Sequence, residues 1–369
     1  MGCVDAPKTG DTSNTSLYVF DIASQTVKVW SDVNTVYAAP TAPPVPDRVV
    51  TSGSISNMGL LAWGGMALDY SGNRLYLLSE DGKVVRIERI RSQNGSLTLS
   101  TDITTFYLGD NSNSSDRLSG GSTFGQIAIS ASQGTLYATE TATTGGATRI
   151  WVVANAGSVP SGTKYPMAGN TLRSIDSNDL AGTGAGVAAG ASGTVFGFFT
   201  GGSTVYDGLG QNGVDGPRLR STNTASFANS SNVLIGNLTG LGSAPTFGSL
   251  AFDISGNRLY LARQDSTGTL PAVLVFTPGQ FGTSTFNQAP AGNLGEISSA
   301  LPSLRFISHA GTKDWLAGAN MTAAGTAQNT VFLWKAPSVK SATGTYPSAT
   351  AVTLSSSIAV RGLAFDGNK

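Results

Sequence analysis

The sequence predicts an all-β protein: a six-bladed β-propeller of four-stranded antiparallel blades, closed by N- and C-terminal strands that share one blade. Three observations predict it. The stretch MALDYSGNRLYLLSEDGKVVRI from Met66 returns as LAFDISGNRLYLARQD from Leu250 and, cut short, as LAFDGNK from Leu363. Laid over the whole chain, the pattern gives starts at Met66, Ile127, Val187, Leu250, Leu304 and Leu363. That is a period of about sixty residues, the mark of an array of like supersecondary units. Helical periodicity is hard to find anywhere, whereas each unit divides into runs of roughly four to eight residues that are β-branched, aromatic or alternating.

In the first unit, MALDY is followed by the turn SGN, then RLYLLS, the turn EDG, KVVRIERI, NG and SLTLS. The breaks carry Gly, Asn or Asp, which supply the positive φ of tight reversals, so the pieces read as a four-stranded meander. The second unit reads IAIS, GTLYATE, RIWVVA; the fourth LAFDI, SGNRLYLAR, AVLVFT; the fifth LRFIS, KDWLAG, TVFLWKA. The third, VAAGASGTVFGFFTGG, keeps the pattern and little else. Meanders this apolar cannot cover both faces alone, and radial packing about an axis gives each face a neighbour.

The chain ends supply the remaining unit. SLYVFDI and TVKVWS near the start look like the outer half of a blade, and RGLAFDGNK at the end looks like its innermost strand. Joined, they make up about one more period and leave no frayed edge strand. Seven blades are the alternative, if the segment from Val36 to Gly59 holds a short extra one. The organisation expected is a flexible tether over residues 1–13 and a single propeller domain over 14–369. Two insertions exceed ordinary hairpin loops: the Pro-rich segment VYAAPTAPPVPDRVVTSGSISNMG, and YDGLGQNGVDGPRLRSTNTASFANSS in the third unit.

The inner-strand signature in MALDYSGNRLYL and LAFDISGNRLYL is similar to the repeats of six- and seven-bladed propellers of the NHL, YVTN and gluconolactonase-like type. The resemblance covers most of the chain as pattern. It implies the fold and leaves function open, because the architecture carries enzymes, sensors, adhesins and scaffolds alike. Gluconolactonase-like propellers hold a divalent metal in the channel through carboxylate and amide oxygens. Here the matching inner-strand positions are almost wholly small, with Gln126 the one amide, so the resemblance does not carry that active site across.

Composition excludes several function classes. The 369 residues are 40 % apolar, and their 12 % of charged residues is far below the roughly 25 % usual for soluble domains. With 22 basic against 22 acidic residues and no Lys/Arg cluster, a nucleic-acid or acidic-lipid surface lacks its electrostatic basis. No apolar run approaches the ~18 residues of a membrane helix. The one cysteine, Cys3, has no disulfide partner within the chain. In MGC followed by VDAPKTGDTSNTS it resembles the lipid-bearing cysteine and tether at the mature start of a bacterial lipoprotein, which implies a lipid-anchored location in the cell envelope or outside the cell.

No catalytic residue, metal ligand or cofactor is expected. Asp69, Asp253 and Asp366 recur before SGN or GN, where an Asp side chain fixes a turn, and Tyr76 and Tyr260 read as aromatics packed between blades. His309 is the sole histidine, in a turn position on the face away from the usual working mouth, and supports neither a quinone-dependent dehydrogenase nor a serine hydrolase. At that mouth, the loops after second strands offer Glu80, Asp81, Glu140, Arg263, Gln264, Asp265 and Asn320. The segments leading into inner strands add Trp63, Phe124, Gln126, Arg305 and Arg361. Mixed carboxylate, amide, cationic and aromatic groups on a concave face suit a polar ligand or a partner's loop. The expected function is a non-enzymatic binding or scaffold module for a partner protein, surface polymer or surface assembly; the alternative is a calcium-dependent lactonase-like or sugar-processing enzyme.

Overall fold

The computed structural model describes residues 10–51, 65–98, 101–109, 122–130, 134–142, 148–165, 171–172, 185–189, 194–199, 218–223, 233–237, 246–254, 256–264, 273–277, 292–294, 304–321 and 327–367. The chain forms an all-β propeller, with almost no helix among the described residues. It begins with β1 (Ser16–Asp21), β2 (Thr26–Trp30), the short helix α1 (Val33–Ala38) and β3 (Arg48–Thr51). Next come β4 (Gly65–Asp69), β5 (Arg74–Leu78), β6 (Lys83–Glu88), β7 (Gly95–Ser96) and β8 (Ile103–Leu108). The second full repeat gives β9 (Ser122–Ser130), β10 (Thr135–Ala142), β11 (Thr148–Val153), β12 (Lys164–Tyr165) and β13 (Thr171–Leu172). The third gives β14 (Ala185–Ala189), β15 (Thr194–Phe199), β16 (Arg218–Asn223) and β17 (Val233–Asn237). The fourth gives β18 (Thr246–Asp253), β19 (Arg258–Gln264), β20 (Val273–Phe276) and β21 (Gly292–Leu294). The chain closes with β22 (Leu304–His309), β23 (Trp315–Met321), β24 (Ala327–Lys335), β25 (Thr350–Thr353) and β26 (Val360–Asp366).

These strands form six sheets. Their innermost strands touch in the order β26, β4, β9, β14, β18, β22, and β22 returns to β26. The two chain ends meet in one of the sheets. Strand β26 pairs antiparallel with β1, setting Leu17 opposite Phe365, Tyr18 opposite Ala364 and Val19 opposite Leu363. All six of these residues are buried, so the pairing removes an apolar edge from water while completing its backbone ladder.

The core is divided among the junctions between neighbouring sheets. One cluster joins Leu17, Val19 and Phe365 to Trp315 and Leu333; another joins Tyr260 and Val275 to Ile307, Leu316 and Trp334. A repeated pair explains the small residues of the inner strands. Ala67 opposes Tyr76, Ala128 opposes Tyr137, Ala188 opposes Phe196, Ala251 opposes Tyr260, and Ala364 opposes Tyr18. Each aromatic is buried. Opposed residues of an antiparallel pair share a face, so a methyl group on the inner strand leaves room for the ring beside it.

The structure departs from the sequence reading in several places. The fourth strand of the first full repeat is β8, not SLTLS: Ile103, Phe106 and Leu108 are buried there, while Gly95–Ser96 crosses to pair in parallel with β3 of the neighbouring sheet. Arg48 fixes that crossing through Nη1, which donates to the carbonyls of Ile90 and Gln93, each at 2.8 Å. A second parallel addition, β12 on β8, makes two of the sheets five-stranded instead of four. In the fifth repeat, Ala310 N–H donates to Trp315 O at 2.9 Å and closes the four-residue hairpin that Asp69 and Arg74 close in the first. Ile307 is therefore the counterpart of Met66, three residues later than the spacing of Leu304 suggested; the pairing of β22 also shifts register between Leu304 and Phe306.

Helix α1 went unseen because six residues are too few for a period to show. Asp32 caps it by accepting Asn34 N–H at 2.9 Å, and Val33 and Val36 are buried. In the segment suspected of holding a seventh blade, the described residues supply the end of α1 and β3, a strand of the shared sheet; residues 52–59 lie outside the described residues. Part of the long insertion in the third repeat is strand β16.

Candidate functional site

The inner strands surround a channel with a cavity of about 120 Å³, lined by Met66, Gln126, Val187, Leu250, Ile307 and others. Gln126 lies across it. Its Oε1 accepts Val187 N–H at 2.8 Å and Leu250 N–H at 2.9 Å, and its Nε2 donates to Leu250 O at 2.7 Å. One side chain of β9 thus ties together the inner strands of three sheets. A bulge between Ala138 and Glu140 shifts the pairing of β10 with β9, and Gln126 N–H donates to Thr139 Oγ1 at 2.9 Å. The sequence presented Gln126 as an amide awaiting a ligand; the structure spends that amide on backbone.

The other residues expected at this mouth separate into groups. Phe124 is fully buried against Trp151, with ring centroids 6.1 Å apart, and belongs to the core. Glu140 is fully buried as well: Oε2 accepts Trp151 Nε1–H at 2.7 Å, and Oε1 accepts the Ser122 hydroxyl. Neither reaches the rim. Both were placed there by counting along the strand, which cannot tell which face a side chain takes beside a bulge.

Glu80 and Asp81 do stand on the rim, in the loop after β5, and Asp81 is exposed. Asp81 Oδ1 accepts Lys83 N–H at 3.1 Å. Arg361, at the start of β26 in the adjacent sheet, is buried. Burial pushes its guanidinium pKa down, and the Glu80 carboxylate acts in the opposite direction. Arg263 and Gln264 end β19, Arg305 lies in β22 and Asn320 in β23, so their backbones sit at the mouth end of their strands. Trp63, Asp265 and Cys3 lie outside the described residues.

The opposite end of the ring carries the recurrent carboxylates. Asp69 Oδ1 accepts Gly72 N–H at 2.8 Å and the Ser71 hydroxyl at 2.9 Å, and Asp253 Oδ1 accepts Gly256 N–H at 2.8 Å. Both fix their hairpins. Asp366 instead pairs with Arg91, which reaches it from the loop after β6.

His309, Asp253 and Asp314 converge at this end. Asp253 Oδ1 is 4.0 Å and Asp314 Oδ1 3.9 Å from the same nitrogen, His309 Nε2. The His309 ring stacks on Tyr260 with centroids 5.6 Å apart and planes at 13°. Burial pushes the Tyr260 phenol pKa up, and the charges of Asp253 and Asp314 push it further. Burial also acts to raise the Asp314 carboxyl, but His309, the Ser338 hydroxyl and Ser338 N–H outweigh it and hold the group below its ordinary value. Sequence reasoning missed this group because its members come from two repeats and a hairpin whose register was misassigned.

No protein-family model matches the chain, and no curated protein matches it. Among solved structures, it is similar to hydrazine synthase from Kuenenia stuttgartiensis, with a TM-score of 0.45 and 11 % identity over 91 % of this chain and 80 % of that one. A protein of unknown function from Bacteroides thetaiotaomicron aligns with a TM-score of 0.48 and 13 % identity, over 83 % of this chain and 64 % of the other. Raptor from Chaetomium thermophilum aligns with a TM-score of 0.42 and 12 % identity, over 74 % of this chain and 19 % of its own. Likenesses this distant carry no functional argument.

Proposed function

We propose that the chain is a six-bladed propeller, one blade for each sheet, acting as a non-enzymatic binding or scaffold module of the cell envelope or extracellular space. In this reading Cys3 carries a lipid, and the rim bearing Glu80 and Asp81 meets a partner protein, a surface polymer or a surface assembly. The observation that carries the reading is the bonding of Gln126 and Glu140. A calcium-dependent lactonase-like site would draw its amide and carboxylate oxygens from these positions, and a hard cation wants about six oxygens. Here the Gln126 amide is committed to three backbone groups and the Glu140 carboxylate to Trp151 and Ser122. Glu80 and Asp81, in the loop after β5, offer carboxylates suited to recognition of a polar or cationic partner.

The test is capture from a native envelope extract, with the lipidated wild-type chain beside a Glu80→Lys, Asp81→Lys double variant. The reading expects a specific partner or polymer that the variant loses. Calcium-dependent turnover of a lactone panel by the wild type, abolished by Gln126→Leu, would overturn it.

A further inference from the structure

We propose that Asp253, His309 and Asp314 form a binding site for one divalent metal ion of the zinc class, riveting two neighbouring sheets at the end of the ring opposite the rim. The three residues offer ligand atoms within 4.8 Å of one another. Their side chains are 2 %, 1 % and 5 % exposed. Neither nitrogen of His309 has a hydrogen-bond partner among the described residues, although the ring is buried. An orphaned buried imidazole is costly, and the way it is orphaned indicates the missing partner.

Both carboxylate oxygens face the same nitrogen, at nearly equal distances of 4.0 and 3.9 Å. A protonated imidazole can aim its single Nε2–H at only one of them, and both lie beyond hydrogen-bond reach. A spherical cation between them meets the nitrogen lone pair and both oxygens together. For a tetrahedral ion with bonds of about 2.1 Å, neighbouring ligand atoms stand about 3.4 Å apart, so the two nitrogen–oxygen sides would close by roughly half an ångström and the two carboxylates, now within 4.8 Å, would draw together. One imidazole and two carboxylates are a donor set for zinc, cobalt or manganese and a poor one for magnesium.

The carboxylates are already oriented for this. Asp253 Oδ2 lies 3.5 Å from Arg258 Nη1, and its Oδ1 accepts Gly256 N–H. Asp314 Oδ2 accepts Gly10 N–H at 3.0 Å and the Ser338 hydroxyl, while its Oδ1 accepts Ser338 N–H at 3.2 Å. Each Oδ1 keeps a second lone pair. Such outer bonds fix ligand geometry in metal sites. The Tyr260 hydroxyl, also buried without a hydrogen-bond partner among the described residues, stands beside both carboxylates.

The repeat singles out the histidine. At the corresponding inner-strand position, Phe252 stacks on Phe196 of the preceding sheet with centroids 5.0 Å apart, as His309 stacks on Tyr260. Leu68 and Phe365 fill the same role in two other junctions. An imidazole has displaced an apolar side chain only where two carboxylates converge.

The experiment uses the full chain stripped with a chelator, then titrated with Co²⁺ and followed by visible ligand-field absorption, with melting measured in Zn²⁺. One ion per chain, a coloured low-symmetry spectrum and a raised Tm are expected. His309→Phe should keep the stacking and the metal-free Tm, as Phe252 does in its own junction, and weaken Co²⁺ binding about a hundredfold or more. No uptake by the wild type, or uptake unchanged in His309→Phe, overturns the proposal. Because His309 is the sole histidine, its ¹⁵N resonances give a second reading on the wild type alone: Zn²⁺ should shift Nε2, and an unmoved signal overturns the site whatever the variant does.

Discussion

Asp366, in the last inner strand, accepts two hydrogen bonds from Arg91, at 2.6 Å from Nε and 2.8 Å from Nη2, across 275 residues of sequence. The carboxylate is fully buried and the guanidinium about one-third exposed. The same Nη2 donates to Tyr70 O at 2.7 Å, so the pair locks the chain end to the next sheet. Asp366→Ala leaves a partly buried cation without its partner and should cost about 2 kcal/mol, below the usual range for buried pairs because Arg91 is partly open to water. Urea denaturation measures it. Removing residues 363–369 should cost far more, since the buried Leu363 and Phe365 leave with four of the six paired positions on β1. A truncated chain with an unchanged midpoint would refute the closure.

Gln126 is expected to act on stability. Gln126→Leu strands the N–H groups of Val187 and Leu250, each left without its acceptor at about 1–3 kcal/mol. The loss should appear in thermal melts with or without calcium. A stability loss confined to calcium-containing buffer would return Gln126 to the role of metal ligand.

Tyr76 should behave in the opposite way. Its ring is buried in the core, and its hydroxyl has no hydrogen-bond partner among the described residues. Burial pushes the phenol pKa well up, and the Asp69 charge adds to it. Tyr76→Phe removes a desolvated hydroxyl that returns nothing, so the variant should be as stable as the wild type or slightly more so. A loss above about 1 kcal/mol would mean the hydroxyl is bonded after all.

Asp21 makes stability depend on acid. Burial acts to raise its pKa, but Ala359 N–H, the Ser24 hydroxyl and the Lys28 ammonium outweigh that and hold it below its ordinary value. The unfolded chain, with an Asp pKa of about 3.9, therefore takes up the proton first as pH falls. The contribution is complete above about pH 5 and disappears as pH drops through the unfolded and then the folded value. Asp21→Asn lacks it at every pH. The gap between the two urea midpoints should be widest at neutral pH and narrow toward pH 3; a gap independent of pH would show that the charge is not the source.

Much of the ring was legible because its causes are local. Alternation and turn residues marked the strands, and the recurrence of Asp before SGN marked the hairpins that Asp69 and Asp253 fix. Tyr76 and Tyr260 announced themselves as core aromatics by their place in each repeat. The site was far less legible. Glu140 and Phe124 were assigned to the rim by strand counting, and the bulge at Thr139 left them buried.

The sharing of one sheet by the N-terminal strand of SLYVFDI and the C-terminal strand of RGLAFDGNK was written in the sequence by itself, since both are apolar and together they complete a period. Only the tertiary structure decided that Gln126 would span three sheets and that Asp253 and Asp314 would face one nitrogen of His309. Those meetings depend on how neighbouring sheets dock and where a strand bulges. A shift of one residue turns a side chain to the other face, and no local pattern records that shift.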